Sequence, residues 1–122
     1  MKTQWEKFGE ETCEGFDIVF SISPEDIHPA DCFDNSTDPK TGKPYYDTDQ
    51  MARDIDNGLL SWFIARVQAF KNGILLGSEY LGGNLYKDPT EFISDSGYYD
   101  DMKETVINHA KETIKKLTEE NL

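Results

Sequence analysis

The sequence predicts an α+β fold, in which a small antiparallel sheet of about three strands is packed by a C-terminal helix. Two apolar-rich segments flank Asn72-Gly73, which is the strongest short signal for a β-hairpin. Apolar and polar residues alternate over 15–23, the period of a half-buried strand. Apolar residues recur every three or four positions over 102–120, as in an amphipathic helix. At 122 residues, we expect one domain spanning 1–122.

The N-terminal region is expected to form a short helical turn or an ordered arm over residues 3–12. Thr3 and Glu6 have the spacing of a capping box at the start of a helix. Trp5 is expected to pack on the core, because a ring of this size is usually mostly buried. The first strand then follows at 15–23, where one face is apolar.

A long polar loop is predicted at about 30–47. This stretch is rich in Asp, Asn, Ser, Pro and Gly, which favour turns and leave little to bury. Long loops inside compact domains are uncommon and are often functional. A short helix is predicted near 48–57, with Asp47 as its cap and Asn57-Gly58 as its end.

The hairpin consists of the predicted strands 60–70 and 74–81. A two-residue turn at Asn72-Gly73 fixes which residues lie opposite one another, and it places Arg66 opposite Glu79. Such an opposite-charge pair is worth about 0.2–1 kcal/mol. The face that this register turns toward the core carries Phe63, Ala65, Val67, Leu76 and Tyr80.

The last predicted element is the helix 102–120. Asp101 and Glu104 fit a capping box at its N-terminus, and lysines near its C-terminal end suit the helix dipole. One apolar stripe is expected to face the sheet. It consists of Met102, Val106, Ala110, Ile114 and Leu117.

Negative charge dominates the composition. The chain carries 24 acidic and 12 basic residues, a formal net charge of −12, and residues 1–57 alone hold 14 acids against five bases. Such a field attracts basic partners and repels nucleic acid and anionic membranes, so we expect direct binding to neither. The chain lacks a run of 18 apolar residues and an apolar signal peptide. A cytoplasmic location without a membrane span is therefore expected.

The sequence contains no motif for catalysis, and we expect no enzyme, cofactor or resident metal. It lacks a nucleophile elbow, a phosphate loop and a dinucleotide fingerprint. Cys13 and Cys32 are most simply free thiols in a reducing compartment, although sequence alone leaves a disulfide open. The alternative is a small metal-dependent or cysteine-dependent enzyme that uses Cys13, Cys32, His28 or His109, whose spacing matches no standard metal site.

The composition favours a non-enzymatic acidic protein that occupies and blocks a basic surface on a nucleic-acid-binding protein or nuclease. Proteins of that class carry Lys- and Arg-rich grooves, to which an acidic surface is steered, so the inhibitor acts as a nucleic-acid mimic. Another alternative is an oligomeric structural or assembly protein whose acidity serves solubility. The residues expected to contact the partner are Asp34, Asp38, Tyr45, Tyr46, Asp47, Asp49, Asp54 and Asp56.

Overall fold

A computed structural model describes the backbone of residues 4–120 and the side chains of residues 4–119. It confirms the α+β class, with a four-stranded antiparallel sheet in the order β1-β2-β3-β4. The strands are β1 (Glu6–Cys13), β2 (Phe16–Pro24), β3 (Ser61–Lys71) and β4 (Ile74–Tyr86). The α-helices are α1 (Thr48–Asp56), α2 (Thr90–Asp95) and α3 (Tyr98–Glu120), and a short 3₁₀ helix spans Pro29–Asp31. The sequence-based expectation of about three strands is one strand short.

The additional strand, β1, replaces the helical turn expected over residues 3–12. Thr3, the expected cap, lies outside the described residues, and the chain from Glu6 onward pairs antiparallel with β2. Glu14 and Gly15 form the connecting turn, with φ of 52° and 85°. The strand was missed because charged residues occupy both of its faces, so the alternation of a half-buried strand is absent.

The core lies between one face of the sheet and the helices α2 and α3. Seven residues of β2 and β3 supply the sheet side: Phe16, Ile18, Phe20, Phe63, Ala65, Val67 and Ala69. The helices cover them with Phe92, Tyr99, Met102, Val106, Ile107 and Ala110. At the centre the rings of Phe20 and Phe92 stack with centroids 5.2 Å apart.

Helix α3 begins one turn earlier than the predicted start at residue 102. The backbone N–H of Tyr98 donates to Ser96 Oγ at 3.1 Å, so a serine hydroxyl satisfies a free donor at the helix start. The predicted apolar stripe is confirmed for its first four members, while Leu117 is 53% exposed. Ile107 is buried as well, so the buried face is wider than the predicted stripe.

The hairpin turn forms as predicted, but a bulge changes the register beyond it. Asn72 and Gly73 have positive φ of 53° and 77°, as a tight two-residue turn requires. Phe70 pairs with Leu75, and the bulge then makes Ala69 pair with Gly77. Beyond the bulge, each pair is shifted by one residue from the predicted register: Val67 pairs with Glu79, Arg66 with Tyr80 and Ala65 with Leu81. The predicted pair of Arg66 and Glu79 is therefore wrong.

A second irregularity lets β4 run on past the predicted end at residue 81. Phe63 pairs with Asn84 while Ala65 pairs with Leu81, so β4 carries one extra residue in the Gly82-Gly83 stretch. The buried side chain of Asn84 holds this bulge closed, because its Nδ2 donates to Leu81 O at 2.6 Å and to Phe63 O at 3.1 Å.

The face of the sheet opposite the helices, called the outer face here, is covered in part by two rings. Trp5 lies over Arg66, with the guanidinium carbon 4.2 Å from the ring centroid, and contacts Tyr80 at 5.8 Å between centroids. Tyr80 is 55% exposed on this face, which corrects its expected place in the core. Trp5 is only half-buried and packs on the outer face, so the expectation that it packs on the core is wrong. Trp62 is buried further along the same face.

Candidate partner-binding surface

Residues 25–57, which we call the acidic segment, carry nine acids and three bases. Within residues 4–119, none of these nine acids forms an ion pair. The ion pairs within residues 4–119 all lie outside the acidic segment, on β1, on the turn between β1 and β2, and on α3. They are Lys7–Glu10, Lys103–Glu11, Lys103–Asp100 and Lys111–Glu14. The negative charge of the acidic segment is therefore left uncompensated by neighbouring side chains.

Trp62 anchors the N-terminal part of the acidic segment to the sheet. The indole Nε1 of Trp62 donates to Ile27 O at 2.7 Å, and the backbone N–H of Glu25 donates to Trp62 O at 3.1 Å. The Phe33 ring packs against Trp62 with centroids 6.0 Å apart. The carboxylate of Glu25 also accepts from Gly83 N at 3.0 Å, which ties the segment to β4.

The central part of the predicted polar loop, residues 34–46, forms a small hairpin-like excursion. Its two arms are joined by an isolated bridge between Thr37 and Pro44, and Gly42 takes a φ of 71° at the turn. Three backbone bonds hold the arms together: Tyr46 N to Asp34 O (3.1 Å), Tyr45 N to Ser36 O (3.0 Å) and Asp38 N to Lys43 O (2.7 Å). The exposed loop thus has a defined backbone shape.

Two of the expected contact acids also shape this excursion. Asp34 Oδ1 accepts from Ser36 Oγ at 2.6 Å and from Ser36 N at 2.9 Å. These bonds, that of the hydroxyl first, lower the pKa of Asp34 and so favour its charged form. Asp38 Oδ1 accepts from Lys40 N at 2.9 Å at the turn. Both carboxylates remain at the surface while they order the backbone.

Helix α1 presents the other four expected acids. Asp47 caps it, as predicted, by accepting from Gln50 N at 3.0 Å. The Gln50 side chain does not reach back to the cap; it donates to Asp54 Oδ1 at 2.8 Å. Asp49 and Asp56 are exposed and make no side-chain hydrogen bond or ion pair with the rest of the described chain. These two carboxylates are the ones most available to a partner.

The two adjacent tyrosines have different surroundings. Tyr46 packs on Phe33 with ring centroids 5.2 Å apart, although 46% of it stays exposed. Tyr45 is 53% exposed and contacts no other ring in the described region. Asn35 Nδ2 donates to Thr48 Oγ1 at 3.3 Å, which joins this excursion to α1. The eight expected contact residues therefore belong to two connected pieces of one segment.

Sequence reasoning overlooked other residues of the same surface. Ile27 is 50% exposed, and Leu59, just beyond the acidic segment, is 64% exposed. Glu25, Asp26 and Asp31 add three more acids. The exposed apolar residues follow no helical or strand period, so only the folded chain reveals that they accompany the acids.

The cysteines and histidines do not converge. Cys13 ends β1 opposite Phe16, whereas Cys32 lies beside Gly83, whose ideal β-carbon would be 3.8 Å from the sulfur. The two cysteines therefore lie near opposite ends of β3, and eight residues of an extended strand span about 26 Å. Both cysteines are free thiols. Within the described residues, no three His, Cys, Asp or Glu side chains form a group that could hold a metal ion.

A polar cluster fastens β1 to α3 at the edge of the core. The buried Tyr99 donates its hydroxyl to Glu11 Oε2 at 2.7 Å, and Lys103 Nζ lies 3.1 Å from Glu11 Oε1. The bond from Tyr99 and then the bond and charge of Lys103 lower the pKa of Glu11. Burial and then the bond to Glu11 raise the pKa of Tyr99. The arrangement stabilises both charged partners and the neutral phenol.

Neither a membrane-spanning helix in the described part of the chain nor a similarity to known proteins was found that bears on this surface. Every helix between residues 4 and 120 is too short or too polar to cross a membrane. The sequence matches no family model, and neither a curated protein nor a solved structure matches it.

Proposed function

We propose that this protein is a non-enzymatic acidic binding protein that occupies and blocks a basic surface on a nucleic-acid-binding protein or nuclease. The observation that carries the proposal is the acidic segment, whose nine acids lack ion-pair partners within residues 4–119. Carboxylates that are not neutralised internally remain available to lysine and arginine side chains of a partner. A cytoplasmic location is part of the same proposal.

Order in the segment supports tight binding. Backbone bonds hold residues 34–46, and Asp47 caps α1, so the carboxylates need little further ordering when a partner docks. A preordered surface loses less conformational entropy on association than a mobile one. The segment therefore suits a competitor that must displace nucleic acid from a groove.

Exposed rings beside the acids support the same partner class. Tyr45 and Tyr46 lie on the excursion that also carries Asp34 and Asp38. Arginine guanidinium groups stack on aromatic faces and pair with carboxylates, and nucleic-acid grooves are lined with such groups. A surface that combines carboxylates and tyrosine rings can both pair with and stack on the guanidinium groups of one arginine-rich groove.

The test uses charge reversal with a matched control. The Asp49→Lys, Asp56→Lys double variant removes two exposed acids that make no bond within the described chain. The Glu112→Lys, Glu119→Lys double variant makes the same change in net charge on α3, where both acids are exposed. Each protein is immobilised and used to capture partners from the native lysate at low and high salt, followed by mass spectrometry.

We expect the unaltered protein and the α3 variant to retain a basic nucleic-acid-binding protein at low salt only. DNA or RNA should displace that partner, because both compete for one groove. The α1 variant should lose it by tenfold or more without a lower melting temperature. Equal capture by both variants, or capture that nucleic acid does not displace, would rule the proposal out.

A further inference from the structure

The turn of the excursion differs in charge from the rest of the acidic segment. Two of the three bases of residues 25–57, Lys40 and Lys43, lie at this turn, and both are exposed. Residues 38–43, which we call the basic tip, contain these two lysines and a single acid, Asp38, so their net charge is +1. The other eight acids of the segment precede or follow the basic tip.

Backbone hydrogen bonds order the basic tip and leave both ammonium groups at its surface. Asp38 N donates to Lys43 O at 2.7 Å. Lys40 N donates to Asp38 Oδ1 at 2.9 Å, and Lys43 N donates to Thr41 Oγ1 at 3.2 Å. The Asp38 carboxylate thus bonds the backbone of the turn, and neither lysine forms an ion pair with any described side chain. Both positive charges are therefore available to a partner.

The paired arms of the excursion separate the basic tip from the acids of α1. Three successive contacts join the arms, at Pro44, Tyr45 and Tyr46, and the last of them adjoins Asp47, the cap of α1. The basic tip and α1 therefore lie at opposite ends of one ordered hairpin-like piece. The segment presents lysines at one end and carboxylates at the other, in a fixed order along its surface.

A surface with charges of both signs fits a partner with the complementary pattern. A groove lined only by lysine and arginine would attract the carboxylates but repel the basic tip. A matching partner therefore has acids beside its basic groove. A nuclease that depends on divalent cations has this pattern, because carboxylates hold the metal ions at the place where the groove binds phosphates. A protein that only binds nucleic acid needs the basic groove alone.

We propose that the basic tip docks on the metal-binding carboxylates of a divalent-cation-dependent nuclease, while the acids of α1 occupy the basic groove beside them. This inference rests on the proposed function and narrows its partner to a nuclease. The ammonium groups of Lys40 and Lys43 are compact cations, so they pair with carboxylates that otherwise hold a metal ion.

Charge reversal at the basic tip distinguishes this partner from one that offers bases only. The Lys40→Glu, Lys43→Glu double variant makes the segment more negative, so a purely basic groove would bind it more tightly. We expect at least tenfold weaker binding instead, by calorimetric titration of the basic protein that the unaltered protein retains from the native lysate at low salt. Lys115→Glu, Lys116→Glu makes the same charge change at exposed positions of α3 and should alter the affinity less than twofold. Lys40→Arg, Lys43→Arg keeps both charges and should bind within threefold of the unaltered protein.

Nuclease activity of the retained protein is the second measurement. It should hydrolyse DNA or RNA in the presence of Mg²⁺, and the unaltered protein should inhibit it at a concentration at least tenfold lower than the Lys40→Glu, Lys43→Glu variant. A retained protein without nuclease activity, or equal or tighter binding of that variant, would overturn this inference and leave the proposed function standing. If the unaltered protein retains no basic protein, the proposed function fails and this inference fails with it.

Discussion

Gly77 of β4 lies directly against the backbone of Val106 in α3. An ideal β-carbon on Gly77 would be 2.6 Å from Val106 O, closer than real β-carbons approach a backbone oxygen. Since backbone atoms of a packed helix cannot rotate aside, only glycine allows this contact. The bulge next to it places Gly77, rather than Leu76, opposite Ala69 on the helix-covered face.

Gly77→Ala should therefore destabilise the protein by about 1–3 kcal/mol, the cost of overpacking a core, measured by chemical denaturation. Gly9→Ala is the matched control. Its β-carbon would meet Ile93 Cδ1 at 2.9 Å, the end of a side chain that can change rotamer, so the loss should be smaller. Equal losses in the two variants would contradict the close packing of α3 on β4.

The same contact explains why the hairpin register was predictable only near its turn. Asn72-Gly73 determines the local backbone, and the pairing of Phe70 with Leu75 follows from it. The bulge beyond that pair brings Gly77 against α3, more than 25 residues away in the chain, and no local pattern in the sequence predicts that contact. A one-residue shift moved Tyr80 to the outer face and separated Arg66 from Glu79.

Arg66 should be coupled energetically to Trp5 and not to Glu79. Its guanidinium lies 4.2 Å from the Trp5 ring centroid, and its partner across the strands is Tyr80. Double-mutant cycles with alanine should give a coupling of about 0.5–2 kcal/mol for Arg66 with Trp5. The coupling of Arg66 with Glu79 should be below about 0.3 kcal/mol. A larger coupling to Glu79 would restore the pairing expected from sequence.

Glu11 should make stability depend on pH in the acid range. Its pKa in the folded protein is lowered by Tyr99 and Lys103, so its ionised form favours folding. That contribution is complete above the ordinary carboxyl pKa of 4.5 and is lost as pH falls through the lower folded value. Glu11→Gln should cost about 1 kcal/mol at pH 7, a modest amount because its side chain is 39% exposed.

Thermal and urea unfolding from pH 7 to pH 3 measure this effect. The difference between the unaltered protein and Glu11→Gln should shrink as the pH falls, since both side chains are then uncharged. Glu10→Gln is the control, because Glu10 and Lys7 form an exposed pair with side chains 52% and 60% accessible. It should change stability by less than about 0.5 kcal/mol at pH 7. A difference for Glu11→Gln that grows in acid would refute the assigned sign.

The sequence predicts which residues the candidate surface contains, but it does not predict how that surface is attached to the sheet. Asp47 as a cap and Asp34 in a turn follow from local chemistry, and both are observed in these roles. The anchoring of the segment depends on Trp62, 35 residues beyond its bonding partner Ile27. Contacts between residues so far apart leave no periodic pattern in the sequence. Turn residues alone therefore predict an exposed loop but not its attachment to Trp62.

Trp62 should control the order of the acidic segment. Trp62→Phe removes the N–H that bonds Ile27 O and weakens the packing on Phe33, which leaves a carbonyl without its donor. Hydrogen exchange by mass spectrometry should show amides of residues 25–47 exchanging at least tenfold faster, with α3 much less affected. Trp5→Phe replaces the other tryptophan and should leave that region unchanged. Faster exchange spread evenly over the protein would show that Trp62 supports the whole fold instead of anchoring this segment.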